Sequence, residues 1–193
     1  MQPLKTAAEV RAAGAAGLPE DLPASTYAVI ERTARATPDR IALSFFLDVP
    51  SHRRPEHWSY ARLLDGVTRC ANMLHALGVR PGEVVALLLP NLPETHLALW
   101  GGEAAGIVMP VNPLLEPRAI AALLATAHAK VLVTLAPFPG VDLYEKAAAV
   151  AHDVPSLRHV VLIDLAGHVS GWRKPFVRAA GRASFSSCQG TKK

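Results

Sequence analysis

The chain has 193 residues and a formal net charge of +4; 50% of its residues are apolar, 6% aromatic and 19% charged. That is an alanine-rich globular composition, which excludes an intrinsically disordered protein. Six of the 20 bases (Arg173, Lys174, Arg178, Arg182, Lys192 and Lys193) follow Asp164 with no acid among them, leaving 14 bases against 16 acids in residues 1–164. The body of the chain is therefore slightly acidic, which argues against a folded nucleic-acid-binding surface.

In chain order, residues 1–25 are rich in Ala, Gly and Pro and read as a mobile leader with a frayed helical turn. Tyr27, Ile30 and Ala34 follow at helical spacing, and that helix must stop before Pro38. Ile41 to Leu47 is an apolar run with Phe45 and Phe46, expected as a strand. Asp48 to His57 is polar with Pro50 and Pro55, expected as a loop. Ser59 then caps the clearest helix, in which Leu63, Leu64, Val67, Cys70, Ala71, Leu74 and Leu77 recur at i, i+3, i+4 and i+7 before Gly78 closes it.

After Gly78 a rhythm sets in. Val84 to Leu89 is a continuous apolar run, as a strand buried on both faces requires. Asn91 and Pro93 open a helix ending near Gly106, Ile107 to Val111 is the next run, and Pro117 opens a helix through Ile120, Leu123 and Leu124. Val131 to Val133, a helix from Asp142 or Leu143 to His152, and Val160 to Ile163 complete the series. Strand starts spaced roughly 23 to 29 residues apart fit one strand plus one crossover helix. The fold class is therefore α/β, a mostly parallel sheet with helices on both faces over residues 26–165. Residues 166–193 lose all period and are expected to form a basic, disordered tail.

Sites of chemistry are scarce. No Walker loop exists: Gly101-Gly102-Glu103-Ala104-Ala105-Gly106 lacks a following Lys and belongs to a helix, where close backbone packing is the simpler explanation. The terminal Ser186-Ser187-Cys188-Gln189-Gly190-Thr191-Lys192 has no helix after it to hold a phosphate. Eight histidines show no metal-ligand spacing, no nucleophile elbow is present, and Cys70 lies on an apolar helical stripe. His75, His96 and His152 read as half-exposed surface residues. Two cysteines cannot build a disulfide framework, the first residues form no secretory signal, and no stretch can span a membrane. One positional argument remains. Ligands of open parallel sheets bind beyond the carboxyl ends of the strands, which nominates Asn91, Asn112 and Thr134, each equally suited to a cap or turn.

Several blocks carry a resemblance: Ala36-Thr37-Pro38-Asp39-Arg40-Ile41-Ala42, Trp58-Ser59-Tyr60-Ala61-Arg62-Leu63-Leu64, Leu77-Gly78-Val79-Arg80-Pro81-Gly82-Glu83-Val84-Val85-Ala86 and Leu89-Pro90-Asn91-Leu92-Pro93-Glu94. Ala105-Gly106-Ile107-Val108-Met109-Pro110-Val111-Asn112-Pro113 and Ala129-Lys130-Val131-Leu132-Val133-Thr134 continue it. In this order the blocks resemble the opening of an AMP-forming acyl-CoA synthetase of the adenylate-forming superfamily, closest in wording to fatty-acyl-CoA ligases.

The resemblance implies activation of a carboxylic acid as acyl-adenylate, then transfer to CoA, with ATP and Mg²⁺. The family's phosphate loop, metal grip, ribose Asp, hinge and adenylation Lys have no matching positions here. No catalytic or metal-binding residue is assigned, the cofactor-binding residues are unknown, and no cofactor is expected for this chain alone. The expectation is a truncated, inactive N-terminal part of a cytoplasmic ligase of fatty acid metabolism. Its partners would be the rest of a synthetase or a second copy through an open sheet edge, with no specific nucleic acid. The alternative is a non-catalytic module that docks on a full-length synthetase.

Overall fold

A computed structural model describes residues 6–15, 21–165 and 168. The expected tail, residues 166–193, lies outside them except for His168. Within the leader, α1 (Ala7–Ala15) is a nine-residue helix rather than a single turn. Thr6 and Glu9 cap each other's backbone N–H at its start. Every described side chain of α1 is exposed.

Two further helices precede the parallel sheet. α2 (Thr26–Ala36) is capped by Ser25, whose side chain accepts from the Ala28 N–H. α3 (Tyr60–Ala76) is capped by Ser59, which accepts from the Arg62 N–H at 3.2 Å. Gly78, at φ +86°, lets the chain reverse after α3 without the steric cost of a Cβ.

The sheet follows the expected alternation: β3 (Val84–Leu88), α4 (Pro93–Ala105), β4 (Ile107–Pro110), α5 (Pro117–Thr126), β5 (Val131–Leu135), α6 (Leu143–Ala151) and β6 (His159–Ile163). All three pairings are parallel, in the order β4–β3–β5–β6. The chain steps outward from β3 to β4, then crosses back over β3 to reach β5. Right-handed crossovers put the helices of two opposite steps on opposite faces. Accordingly α4 packs with α2 and α3, while α5 packs with α6.

Position in the sheet decides burial. Central β5 is buried at all five residues and β3 at four of its five. The run at Ile107 instead forms an edge strand, with Ile107 half exposed. An apolar run reports hydrophobicity, and only topology says whether a neighbour covers it.

The glycine run of α4 is a packing device, as expected. A Cβ on Gly101 would sit 2.7 Å from that of Cys70 on α3. One on Gly102 would strike the Val108 side chain, and one on Gly106 the Glu83 carbonyl oxygen. Lys130 ties the amino-terminal edge of the sheet together, donating to the Gly78 carbonyl at 2.7 Å and to both Glu83 carboxylate oxygens at 2.7 and 2.8 Å.

The segment Asp48 to His57 departs from the expected loop. Asp48 and Ser51 cap one another around a single 3-10 turn, Val49–Arg53. The chain then returns as β2 (Glu56–Ser59), antiparallel to β1 (Ile41–Phe45). β2 buries Trp58.

Candidate functional site

The connections of β3 and β5 leave in opposite directions, so a topological switch point lies at their carboxyl ends, where open α/β sheets bind ligands. The three residues nominated from sequence all lie on this edge, but the structure does not bring their side chains together. Thr134 is fully buried and donates to the Leu143 carbonyl at 3.4 Å, linking β5 to the first residue of α6. Asn112 folds back to accept from the Leu114 N–H at 3.0 Å, a local turn after β4. Asn91 is exposed and is not the helix cap: Leu92 holds that position without a side-chain bond, and Pro93 begins α4. Thr95 instead donates to the Pro90 carbonyl at 2.6 Å.

Beside this edge an open hollow of ≈ 780 Å³ is lined by residues 137–142 and Glu145. Its charged side chains are those of Asp142 and Glu145, with no cation among the lining residues. The nearby Lys146 ammonium is spent on the Pro113 carbonyl at 2.9 Å and the Asp142 carboxylate at 3.1 Å. A nucleoside triphosphate or the phosphates of CoA need converging cations and N–H donors. The hollow offers carboxylates, so the described residues do not fit those groups.

Another polar cluster among the described residues lies elsewhere, on the hairpin side of α4. Glu56 on β2 accepts from the Trp58 indole N–H at 2.7 Å and pairs with Arg62 of α3 at 2.9 Å. The Arg62 guanidinium also lies 3.8 Å above the Trp58 ring. His168 closes the cluster, with Nδ1 3.1 Å from Glu56 and Nε2 2.8 Å from Glu94 in the first turn of α4. Burial pushes the Glu56 carboxyl up, but the bonds from Trp58 and Arg62 and the charges of Arg62 and His168 outweigh it, leaving it below its ordinary value. Sequence reasoning missed this cluster because His168 is 112 residues from Glu56 and 74 from Glu94. No local spacing encodes such a pairing.

This cluster is not a metal centre. Its two carboxylates approach different ring nitrogens, and no group of three metal-ligating side chains occurs among the described residues. Cys70 is no nucleophile either, since burial pushes its thiol up to about 11. His75 and His152 are exposed, whereas His96 is half buried, stacked on Trp100 at 5.2 Å, with burial lowering its basicity.

The profile of the family described as AMP-binding enzyme matches residues 30–183. The chain belongs to that family. The match runs past residue 165, into the segment that sequence pattern alone sets apart as a tail. Among curated proteins the chain is similar to a marinolic acid–CoA ligase of a Pseudoalteromonas species, 38% identical over 108 residues, which are 56% of this chain and 16% of the ligase. It is also similar to a salicyl-AMP ligase / salicyl-S-ArCP synthetase of Mycobacterium tuberculosis, 35% identical over 75% of this chain and 25% of that protein. Among solved structures, the acetoacetyl-CoA synthetase of Streptomyces lividans superposes with a TM-score of 0.63 at 30% identity, covering 74% of this chain and 22% of that one. The chain thus spans a quarter or less of the length of these relatives. It is an α/β segment of the adenylate-forming acyl-CoA ligase type, matching the N-terminal region of such enzymes.

Proposed function

We propose that this chain is scaffold from the N-terminal region of an ATP-dependent acid–CoA ligase, and that these 193 residues do not activate an acid by themselves. The observation that carries this reading is the state of the sheet's carboxyl edge. Thr134 and Asn112 are engaged in local structure, and the adjoining hollow carries carboxylates where phosphates would require cations. Adenylation must neutralise a triphosphate and align a carboxylate for attack, which takes a convergent donor set. On this reading ATP, Mg²⁺ and CoA are gripped by residues this chain does not supply, and it takes no cofactor alone. The relatives' names share one substrate feature, a carboxylic acid, and that class is all we assign. The matching partner is the remaining part of a ligase, or a second copy meeting the open edges at β4 and β6. The setting we assign is cytoplasmic; no helix among the described residues is long and apolar enough to cross a membrane.

The test is acid-dependent ATP–pyrophosphate exchange by the purified chain over a panel of aliphatic and aromatic acids. No exchange above a protein-free blank is expected. Exchange that survives repurification would show that the chain itself holds an adenylation site.

A further inference from the structure

We propose that this chain pairs with a second copy of itself through β6, the two strands running antiparallel about a two-fold axis at Val161. Of the two open edges of the sheet, only this one is equipped for it. On β4 the Ile107 N–H donates to Glu83 and the Val111 N–H to Leu87. Residues 107, 109 and 111 therefore turn their backbone groups to β3, and residues 108 and 110 turn theirs outward. The second outward position is Pro110, which has no N–H to give. The edge of β4 thus offers a single donor, from Val108, and an edge proline is a known defence against strand addition.

β6 carries no such block. The His159 N–H donates to the Lys130 carbonyl and the Ile163 carbonyl accepts from Ala136, so residues 159, 161 and 163 face β5. Val160 and Leu162 turn both N–H and C=O outward, and no strand among the described residues pairs with them. Along this edge the sequence is complementary to itself. An antiparallel pair centred on Val161 sets Val160 opposite Leu162 of the second copy and Leu162 opposite its Val160, each pair exchanging both backbone hydrogen bonds. The same register sets Arg158 opposite Asp164 at both ends of the ladder, so opposite charges flank an apolar middle.

Arg158, Val160 and Asp164 are exposed and Leu162 is half-buried. By strand alternation these four share one face, whereas Val161 and Ile163 pack onto the core from the other. Moving the centre to Val160 would set Arg158 against Leu162, and moving it to Leu162 would set Asp164 against Val160, so charge selects the register at Val161. A two-fold pairing uses β6 in both copies and leaves only the Pro110 edges outside, so assembly closes at the dimer. The inference rests on reading this chain as scaffold that stands without the rest of a ligase.

The experiment is sedimentation of the full chain from low to high micromolar concentration. A monomer–dimer equilibrium that goes no further is expected, weak because one strand pair is a small interface. Arg158→Asp sets two like charges against each other at both ends and should raise the dimer dissociation constant about tenfold. Asp164→Arg should do the same by opposing two arginines, and the double swap should recover most of the loss. Val108→Lys, on the β4 edge, should leave the dimer unchanged. Because a substitution could act through folding, amide hydrogen exchange of the parent gives a second reading: Val160 and Leu162 should gain protection as concentration rises, and Val108 should not. A monomer at every concentration would overturn the proposal. So would growth beyond the dimer, indifference to the single reversals, a double swap no better than either single, or protection confined to Val108. A monomer without pyrophosphate exchange would remove the dimer and leave the scaffold reading standing, whereas a dimer that catalyses exchange would do the reverse.

Discussion

The two sides of α4 are held by different physics. Toward α3 and the sheet the contact is apolar and close: Gly101 and Gly102 bring the helix against Cys70 and Val108, beside a core running through Leu74, Val85, Leu132 and Ile120. Toward the hairpin, its first turn instead joins a polar cluster of two carboxylates, an imidazole, an indole N–H and a guanidinium. The apolar side works by shape and tolerates changes of pH. The polar side works by charge and hydrogen bonds, each group held in place by its partners.

The sharpest way to break the apolar side is to hollow out its centre. Leu132, fully buried in the central strand β5, should cost about 2–5 kcal/mol when changed to Ala, through lost burial and the cavity left behind. Urea denaturation should show the midpoint falling with little change in slope; a loss below about 1 kcal/mol would mean that this core is loosely packed.

Overfilling the same side tests the close approach. Gly106→Ala places a methyl group against the Glu83 carbonyl oxygen, which is backbone and cannot rotate away. Overpacking of this kind costs about 1–3 kcal/mol. An unchanged melting temperature would show that the turn after α4 can move aside.

The same contrast explains what could be read from sequence. The apolar side was legible because its signals are local: runs at Val84 and Val131, a helical stripe from Leu63 to Leu77, the Ser59 cap, and prolines at the starts of α4 and α5. The glycines of α4 were legible as packing residues because they lie inside a helix without a phosphate-loop lysine. Local signals failed where neighbours decide. β2 hides in a polar stretch with two prolines because its reason for being extended is its pairing with β1. The edge placement of β4 and the His168 cluster depend on chain segments brought together only by folding. Asn91, Asn112 and Thr134 were rightly placed on the carboxyl edge, but residue type could not reveal that each had local work or no partner to act with.

The smallest effect expected is also the one that best separates charge from shape. Lys130 bonds to Glu83 across the amino-terminal edge of the sheet, on the apolar side of the comparison but held by charge. The Lys130 hydrogen bond, opposed by burial, keeps the Glu83 carboxyl below its ordinary value of 4.5, aided by the Arg80 N–H and the two nearby positive charges. A carboxyl whose folded value is depressed adds stability that is fully present above the unfolded value and disappears as pH falls through the folded one. Lys130→Met keeps most of the aliphatic stem and removes the charge. Its melting temperature should therefore lie slightly below the parent's at pH 7, with the gap closing as pH drops below 4.5, the ordinary value from which Glu83 is depressed. Glu56 is depressed as well, by partners that Lys130→Met leaves untouched, so some acid sensitivity should survive in the variant. A gap that persists unchanged in acid would assign the role of Lys130 to the packing of its stem and to its bond with the Gly78 carbonyl, and would place this edge wholly on the side governed by shape.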